Sequence, residues 1–412
     1  MPESLSPGRK VFDRPDELAR FTDEPGQLTR LYLSPSHKAA SLQVRDWMAA
    51  AGMAVRVDAV GNVVGRYEGT DPGRPMLLIG SHIDTVRNAG KYDGNFGVIA
   101  AIAAVAELHG RGERLPYAIE VLAFGDEEGV RFPVTLTGSR AVAGTLDPAA
   151  LDARDADGIS VREALQQFGC DPADASTVAR RGEDAAAYVE LHIEQGPVLQ
   201  AEDLPVGVVT AINGASRFTI EVSGTAGHAG TVPMELRSDA LAAAAEMILA
   251  IERIALETEA LVATVGKTEA LPGAVNVIPA GANFTLDIRS PSDAVRNGAI
   301  ARLEEELAAI ARRRGVRVRL TRTYDEPAAT CAPWLVTQFS DAVARTGIQP
   351  YRLPSGAGHD GLAMVALCPI GMLFVRCKDG ISHNPAESIT VDDADAAVRV
   401  LIDFIRHFTP PA

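Results

Sequence analysis

The sequence is short of positive charge, of cysteine and of long apolar runs, and each shortage removes a class of protein. Lys and Arg number 39 against 54 Asp and Glu, a formal net charge of −15. So acidic a chain repels a phosphate backbone, which excludes nucleic acid as the main partner. The four cysteines, Cys170, Cys331, Cys368 and Cys377, show neither paired ligand spacing nor a disulfide framework. They read as buried small hydrophobes in a reducing compartment. No apolar run approaches the roughly 20 residues that span a bilayer, and Val98 to Leu108 is short and Ala-rich. The opening MPESLSPGRKVFDRPDELAR carries charge throughout, unlike a secretory signal. A cytoplasmic protein with no membrane partner is therefore expected. Low-complexity tracts and internal repeats are missing too, so the chain should fold throughout beyond its first few residues.

What is present is an α/β pattern interrupted once. A length of 412 residues exceeds one ordinary core and suggests two domains. Met76 to Gly80 is apolar throughout, as in a strand buried on both faces of a parallel sheet, and it delivers Ser81, His82, Ile83 and Asp84 at its end. Gly94 to His109 reads as an Ala-rich helix. Tyr117 to Phe124 reads as a second strand buried on both faces, ending in Gly125, Asp126, Glu127 and Glu128. Tyr188 to Glu194 alternates, with Glu190, His192 and Glu194 on one face. Between Gly214 and Glu326 the order becomes βαββαβ, with strands expected over Arg217–Ser223, Leu261–Thr268, Asn283–Arg289 and Val316–Tyr324 and helices over Glu235–Leu256 and Asp293–Arg314, the ferredoxin-like split sandwich. Gly371 to Cys377 and a helix from Asp392 to His407 then resume the first pattern. The expected architecture is an α/β domain over 1–213 and 327–412 with a small domain inserted at 214–326.

The chemistry-bearing residues gather where strands finish, the ends at which open parallel sheets bind ligands. His82 and Asp84, Asp93, the run Asp126-Glu127-Glu128, His192 and His383 each follow such a strand. Consecutive carboxylates at the end of a buried strand repel one another and lose hydration, so they need compensating cations. Imidazoles with carboxylates suit zinc, manganese, cobalt or nickel. Such a set would suit a pair of ions about 3.5–4 Å apart with a bridging carboxylate. His37, His109 and His407, on helices or near the terminus, read instead as ordinary structural histidines.

The segments GSHIDTV, KYDGNFGV, GDEEGVRF, ELHIEQG, GHAGTVPM, NVIPAGANFTLDIR, SGAGHD and DGISHNPAE resemble, in order, the motifs of the di-metal amidohydrolases of the hydantoinase/carbamoylase family. That family is similar to the larger group of aminoacylases and di-zinc aminopeptidases. The resemblance implies a di-metal aminopeptidase-like catalytic domain whose inserted ferredoxin-like domain serves as lid and dimerisation element. It further implies two divalent ions per subunit held by His82, Glu128, His192 and His383 with Asp93 as the bridge. Asp84 would orient the ring of His82 and Glu127 would be the general base. Gln195, His228, Asn276 and Arg289 would bind substrate, His228 at the oxyanion and Asn276 with Arg289 at a carboxylate, while Gly358 and His359 would line a tight loop beside it. A homodimer through the inserted domain is implied, with His228 reaching the partner's site. Val232 departs from the second Thr more usual in the GHAGTVPM segment.

The implied reaction is hydrolysis of the carbamoyl C–N bond of an N-carbamoyl-L-amino acid to amino acid, carbon dioxide and ammonia. Allantoate, ureidoglycolate and beta-ureidopropionate are the alternative substrates within the family. Gln195 and the EEGVRF segment speak against an ordinary dipeptidase or aminoacylase. A non-catalytic binder of small acids is the alternative from another class.

Overall fold

The computed structural model describes residues 6–411. It divides into two compact units, one combining the chain up to Thr210 with the chain from Thr330 onward, the other Ala211–Ala329.

The first unit is built on a nine-stranded sheet. Its strands run in the order Ala54–Val57, Val63–Tyr67, Ile119–Phe124, Met76–His82, Ala185–Ile193, Ile370–Val375 and Val206–Ile212, with the two-residue strand Ala329–Thr330 beyond and Arg352–Ser355 also paired to Val206–Ile212. Four central strands are mutually parallel, Met76–His82 lying between Ile119–Phe124 and Ala185–Ile193, and Ile370–Val375 continuing beside the latter. Their carboxyl ends therefore share one edge. Register fixes this closely, because His82 lies opposite Phe124 and His192 opposite Phe374. The helices Asn95–Gly110 and Val391–His407 pack against the sheet and against each other, the first buried along nearly its whole length and the second burying Ala394, Ala397, Val398, Leu401 and Ile405.

The strand Ile119–Phe124 is buried at every position, but it is not apolar on both faces, since Glu120 lies within it. Its Oε1 accepts from Arg180 Nε at 2.9 Å and from Nη2 at 2.7 Å, an ion pair that offsets the cost of burying the charge.

In the second unit the sheet order is Thr268–Leu271, Gly281–Ser290, Gly214–Ser223 and Arg317–Glu326, all antiparallel, with Val262–Thr264 also pairing to Gly281–Ser290. The helices Ala240–Leu256 and Asp293–Arg314 pack on one face, where Phe218, Ile220, Phe284, Leu286, Met247, Leu303 and Leu307 form the core. This is the ferredoxin-like βαββαβ arrangement, with two local departures from the sequence reading. The strand expected over Leu261–Thr268 is two strands interrupted around Gly266, each pairing with a different stretch of Gly281–Ser290. The helix expected from Glu235 starts at Ala240, because Asp239 caps it by accepting from Ala242 N at 3.0 Å.

His37 is fully buried on the helix Pro35–Ala50, its ring between those of Tyr32 and Phe168. Burial and the nearby Arg30 and Arg131 cations push its pKa down to about 3. The folded state thus refuses a proton that the unfolded state accepts below about pH 6.5, so His37 costs stability as pH falls from there towards 3. Replacing His37 with Gln should remove up to about 1.4 kcal/mol per pH unit from the acid-side slope of unfolding free energy over that window. Denaturant titrations at stepped pH measure it; an unchanged slope would refute the neutral buried imidazole.

Candidate metal centre

Each strand end contributes through a sharp turn. Asp126, Gln195 and His383 adopt φ of 71°, 57° and 53°. This left-handed region is uncommon for side-chain-bearing residues and recurs where function outweighs backbone comfort. The turns bring two groups of ligating atoms together, His82 with Asp93 and His192, and Asp93 with Glu128 and His383, all within 4.8 Å of one another in each group. Asp93 belongs to both. Its Oδ1 lies 3.5 Å from His82 Nε2 and 3.0 Å from His192 Nε2, and its Oδ2 lies 3.3 Å from His383 Nε2. Glu128 Oε2 is 3.7 Å from His383 Nε2.

The donor set fits metal ions. His82 Nδ1 donates to the Asp84 carbonyl at 3.0 Å and His192 Nδ1 to the Ile193 carbonyl at 2.9 Å, which turns both Nε2 atoms towards Asp93. Burial lowers the affinity of the His82 ring for a proton, yet the hydrogen bond to Asp93 and the charges of Glu127 and Asp84 raise its pKa well above the ordinary value. Burial would raise Asp93, but hydrogen bonds from His192, His383 and His82 hold it well below the usual carboxylate range. Desolvation raises Asp84, Glu127 and Glu190, and lifts Glu128 to about 7. The shared carboxylate and the ring nitrogens around it are donors of the kind divalent ions accept. Two further groups share these residues, His82 with Glu127 and Glu128, and Glu190 with His192 and His359.

The other expected site residues fall in three places. Glu127 stands beside the cluster with Oε2 3.9 Å from His82 Nε2. Gln195 donates from Nε2 to Asp93 Oδ2 at 2.9 Å, and its Oε1 is buried without a partner. A Cβ on Gly358 would lie 3.8 Å from Glu127 Oε1, so that loop does border the acids. Asp84 acts differently from expectation. Its carbonyl, rather than its carboxylate at 3.7 Å, makes the close contact with His82. The carboxylate oxygens accept from the backbone N–H groups of Glu127 and Glu128, each at 3.2 Å, and so hold the Glu pair in place. His359 is buried, its ring 4.5 Å from that of His192 and its Nε2 2.7 Å from Ser355 Oγ, so its side chain packs against the His192 ring.

His228, Asn276 and Arg289 belong to the second unit. His228 and Asn276 are neighbours on a two-stranded ribbon in which His228 pairs with Val277 and the Asn276 carbonyl accepts from Ala229 N at 3.0 Å. Arg289 lies at the far end of Gly281–Ser290, its Nε and Nη2 on the Asp287 carboxylate at 2.7 and 3.0 Å. Eight residues of extended strand, roughly 26 Å, separate it from the Gly281 end where the ribbon departs. Arg289 and the ribbon thus belong to opposite ends of that strand.

Several supporting residues escaped the sequence reading. Arg30, fully buried, donates to the carbonyls of Ile83, Leu18 and Phe21 at 2.6, 2.9 and 3.1 Å and to Asn95 Oδ1 at 2.5 Å, pinning the loop after His82. Glu190 accepts from Ser81 Oγ at 3.0 Å, Tyr188 OH at 3.1 Å and Gly361 N at 3.2 Å. Alternation within Tyr188–Glu194 put Glu190 on the His192 face, a usable signal. Arg30 carried none.

The ligating groups thus share one carboxylate at the carboxyl edge of the parallel sheet. Comparison with known proteins is specific: residues 78–407 match the model of peptidase family M20/M25/M40. The chain is 42% identical over 395 residues to the N-carbamoyl-L-amino acid amidohydrolase of Geobacillus stearothermophilus, covering 96% of this chain and 97% of the relative. It is 40% identical over 421 residues to the allantoate deiminase of Arabidopsis thaliana, covering 95% and 80%. A crystal structure of a hydantoinase/carbamoylase family amidase from Burkholderia multivorans superposes with a TM-score of 0.92 at 34% identity, covering 98% of each chain. The chain belongs to the hydantoinase/carbamoylase family within peptidase family M20/M25/M40.

Gly94 follows Asp93 with φ 62°, and a Cβ there would stand 2.4 Å from the His82 ring. Gly94→Ala should therefore lose stability by roughly 1–3 kcal/mol from backbone strain alone and should also bind metal more weakly. Denaturant unfolding and metal content after dialysis check both; unchanged metal content would show that His82 is not held against this backbone.

Proposed function

We propose that the protein hydrolyses the carbamoyl C–N bond of N-carbamoyl-L-amino acids, giving the amino acid, carbon dioxide and ammonia. The observation that carries this reading is Asp93, shared by two ligating groups with Glu127 beside them, in a chain of this family. His82, Asp93 and His192 would hold one divalent ion, and Asp93, Glu128 and His383 another, the metal being zinc, manganese, cobalt or nickel. Bound there, the ions would acidify a water and polarise the substrate carbonyl. Glu127 takes a proton from the attacking water and returns it to the leaving nitrogen. Its position supports that task, since its backbone is fixed by Asp84 while its side chain stands free of the shared ligand. Gln195 and Gly358 border the reacting carbonyl.

Arg289 would hold the substrate carboxylate bidentately, its fork already aligned by Asp287. The separation of Arg289 from His228 and Asn276 supports a composite site in a homodimer, in which the ribbon serves the other subunit. Leu241, Leu249 and Leu256, exposed by 40%, 64% and 83%, form a stripe on Ala240–Leu256 opposite its buried face. A second copy of the chain suits such a stripe.

Allantoate is the second reading, favoured by the 40% identity to the Arabidopsis thaliana allantoate deiminase. A panel of N-carbamoyl-L-amino acids, allantoate, ureidoglycolate and beta-ureidopropionate decides between them, and turnover of allantoate alone would replace the first reading with the second. Glu127→Gln should lower kcat by about 10²- to 10⁴-fold with metal content unchanged; a wild-type rate would remove Glu127 as the base. Leu249→Glu should convert a dimer into monomers in sedimentation, with loss of turnover. Mixing His228→Ala and Arg289→Ala subunits should restore part of the activity that each variant lacks. A wild-type protein that sediments as an active monomer would end the composite-site reading.

A further inference from the structure

The loop that carries His383 carries a second acid, Glu387, which is 3% exposed. Its Oε1 accepts from the backbone N–H groups of Tyr92 at 2.8 Å and Asp93 at 3.1 Å. Its Oε2 accepts from Ser382 Oγ at 3.0 Å, and that hydroxyl also lies 3.0 Å from Asp93 Oδ2. The chain at Gly90 makes room for this reach: a Cβ there would stand 2.3 Å from the Glu387 carboxyl group. Glu387 itself is fixed by a turn in which its N–H donates to the Asn384 carbonyl at 3.0 Å.

We infer that Glu387, acting with Ser382, is the positioning residue that sets Asp93 at the correct distance from His383, and so governs the affinity of both metal sites together. This rests on the ligand roles proposed above for Asp93, His82, His192, Glu128 and His383. Asp93 arrives on the segment after Met76–His82, and His383 arrives almost three hundred residues later after Ile370–Val375. These are separate loops, and a carboxylate shared by two ligand groups tolerates little drift. Glu387 grips the backbone of Asp93 at one end of its carboxyl group. At the other it holds the hydroxyl adjacent in sequence to His383, which also touches the shared carboxylate. The loop bearing one ligand is thereby tied to both the main chain and the side chain of another. An acceptor that bonds two successive amides fixes their peptide plane as well as their distance, and outer partners of this kind typically account for 10- to 100-fold in metal affinity.

The geometry also separates hydrogen bonding from charge. In Glu387→Gln the amide oxygen can still accept from Tyr92 and Asp93, and the amide nitrogen can donate to Ser382 Oγ, leaving the hydroxyl hydrogen for Asp93. In Glu387→Ala all of this is lost.

The test is zinc affinity by competition with a chromophoric chelator, measured on full-length wild type, Glu387→Ala, Glu387→Gln, Ser382→Ala and, as reference, His192→Ala. Glu387→Ala should bind zinc about 10- to 100-fold more weakly, with both ions weakened together, while Glu387→Gln stays within a few-fold of wild type. Ser382→Ala, which removes a half-buried hydroxyl and leaves the loop's turn intact, should weaken binding several-fold and carries the test if Glu387→Ala does not fold. Wild-type zinc affinity in either Glu387→Ala or Ser382→Ala, with His192→Ala impaired, would overturn the inference. A loss of thermal stability in metal-free Glu387→Ala without any loss of affinity would do the same, since it would show a merely structural role. Wild-type affinity in His192→Ala would instead locate the failure in the ligand assignment.

Discussion

Too much negative charge is folded into too little water at one sheet edge, and much of the first unit is arranged around that fact. Asp84, Asp93, Asp126, Glu190, Asp360 and Glu387 are all buried there, with Glu127 and Glu128 nearly so. Left alone, desolvation would protonate most of them. The chain answers with hydrogen-bond donors wherever backbone can supply them: amides of Glu127 and Glu128 for Asp84, of Tyr92 and Asp93 for Glu387, of Gly361 for Glu190. It adds one deeply buried guanidinium, Arg30, and three imidazoles. What those groups leave unbalanced is the charge that divalent ions would neutralise.

This view explains why the parallel strands matter beyond giving a core. Four carboxyl ends on one edge place four loops within reach of one another, and contacts between loops add to those within each. Asp84 fixes the loop after Ile119–Phe124, Glu387 fixes the loop after Met76–His82, and Gln195 reaches from a third loop to Asp93. The centre is thus a mutual lattice whose members cannot be shifted singly.

Much of this was legible in the sequence, for definable reasons. Strands buried on both faces announce themselves as apolar runs, and the acids and histidines that follow them stand out by contrast, so His82, Asp84, Asp93, the run Asp126 to Glu128, His192 and His383 could be gathered without coordinates, while the choice of five ligands among them came from the family resemblance. The helix Asp293–Arg314 was bounded correctly because Ser292 caps it and Gly315 closes it in the left-handed conformation. What could not be read was partnership across the chain. Glu387 touches Tyr92 from 295 residues away, and nothing in the spacing of either reports it. That the Asp84 carbonyl lies nearer the His82 ring than its carboxylate was equally hidden, because a sequence does not say whether a carbonyl or a side chain will reach an imidazole first. Glu120 hid in an apolar strand because its neutralising Arg180 lies 60 residues on. The break near Gly266 was a tertiary decision, taken by two different stretches of one neighbouring strand.

The left-handed turns at Asp126, Gln195 and His383 carry a consequence for how this protein could be altered by selection. Each holds a side chain in a backbone conformation that glycine would occupy with less strain, at a cost on the order of 1–3 kcal/mol per position. A laboratory lineage screened for heat tolerance alone would feel a pull towards glycine at all three, and would gain robustness by discarding its chemistry. Persistence of the larger residues in such a lineage would report that activity, and not endurance, was what the screen had preserved.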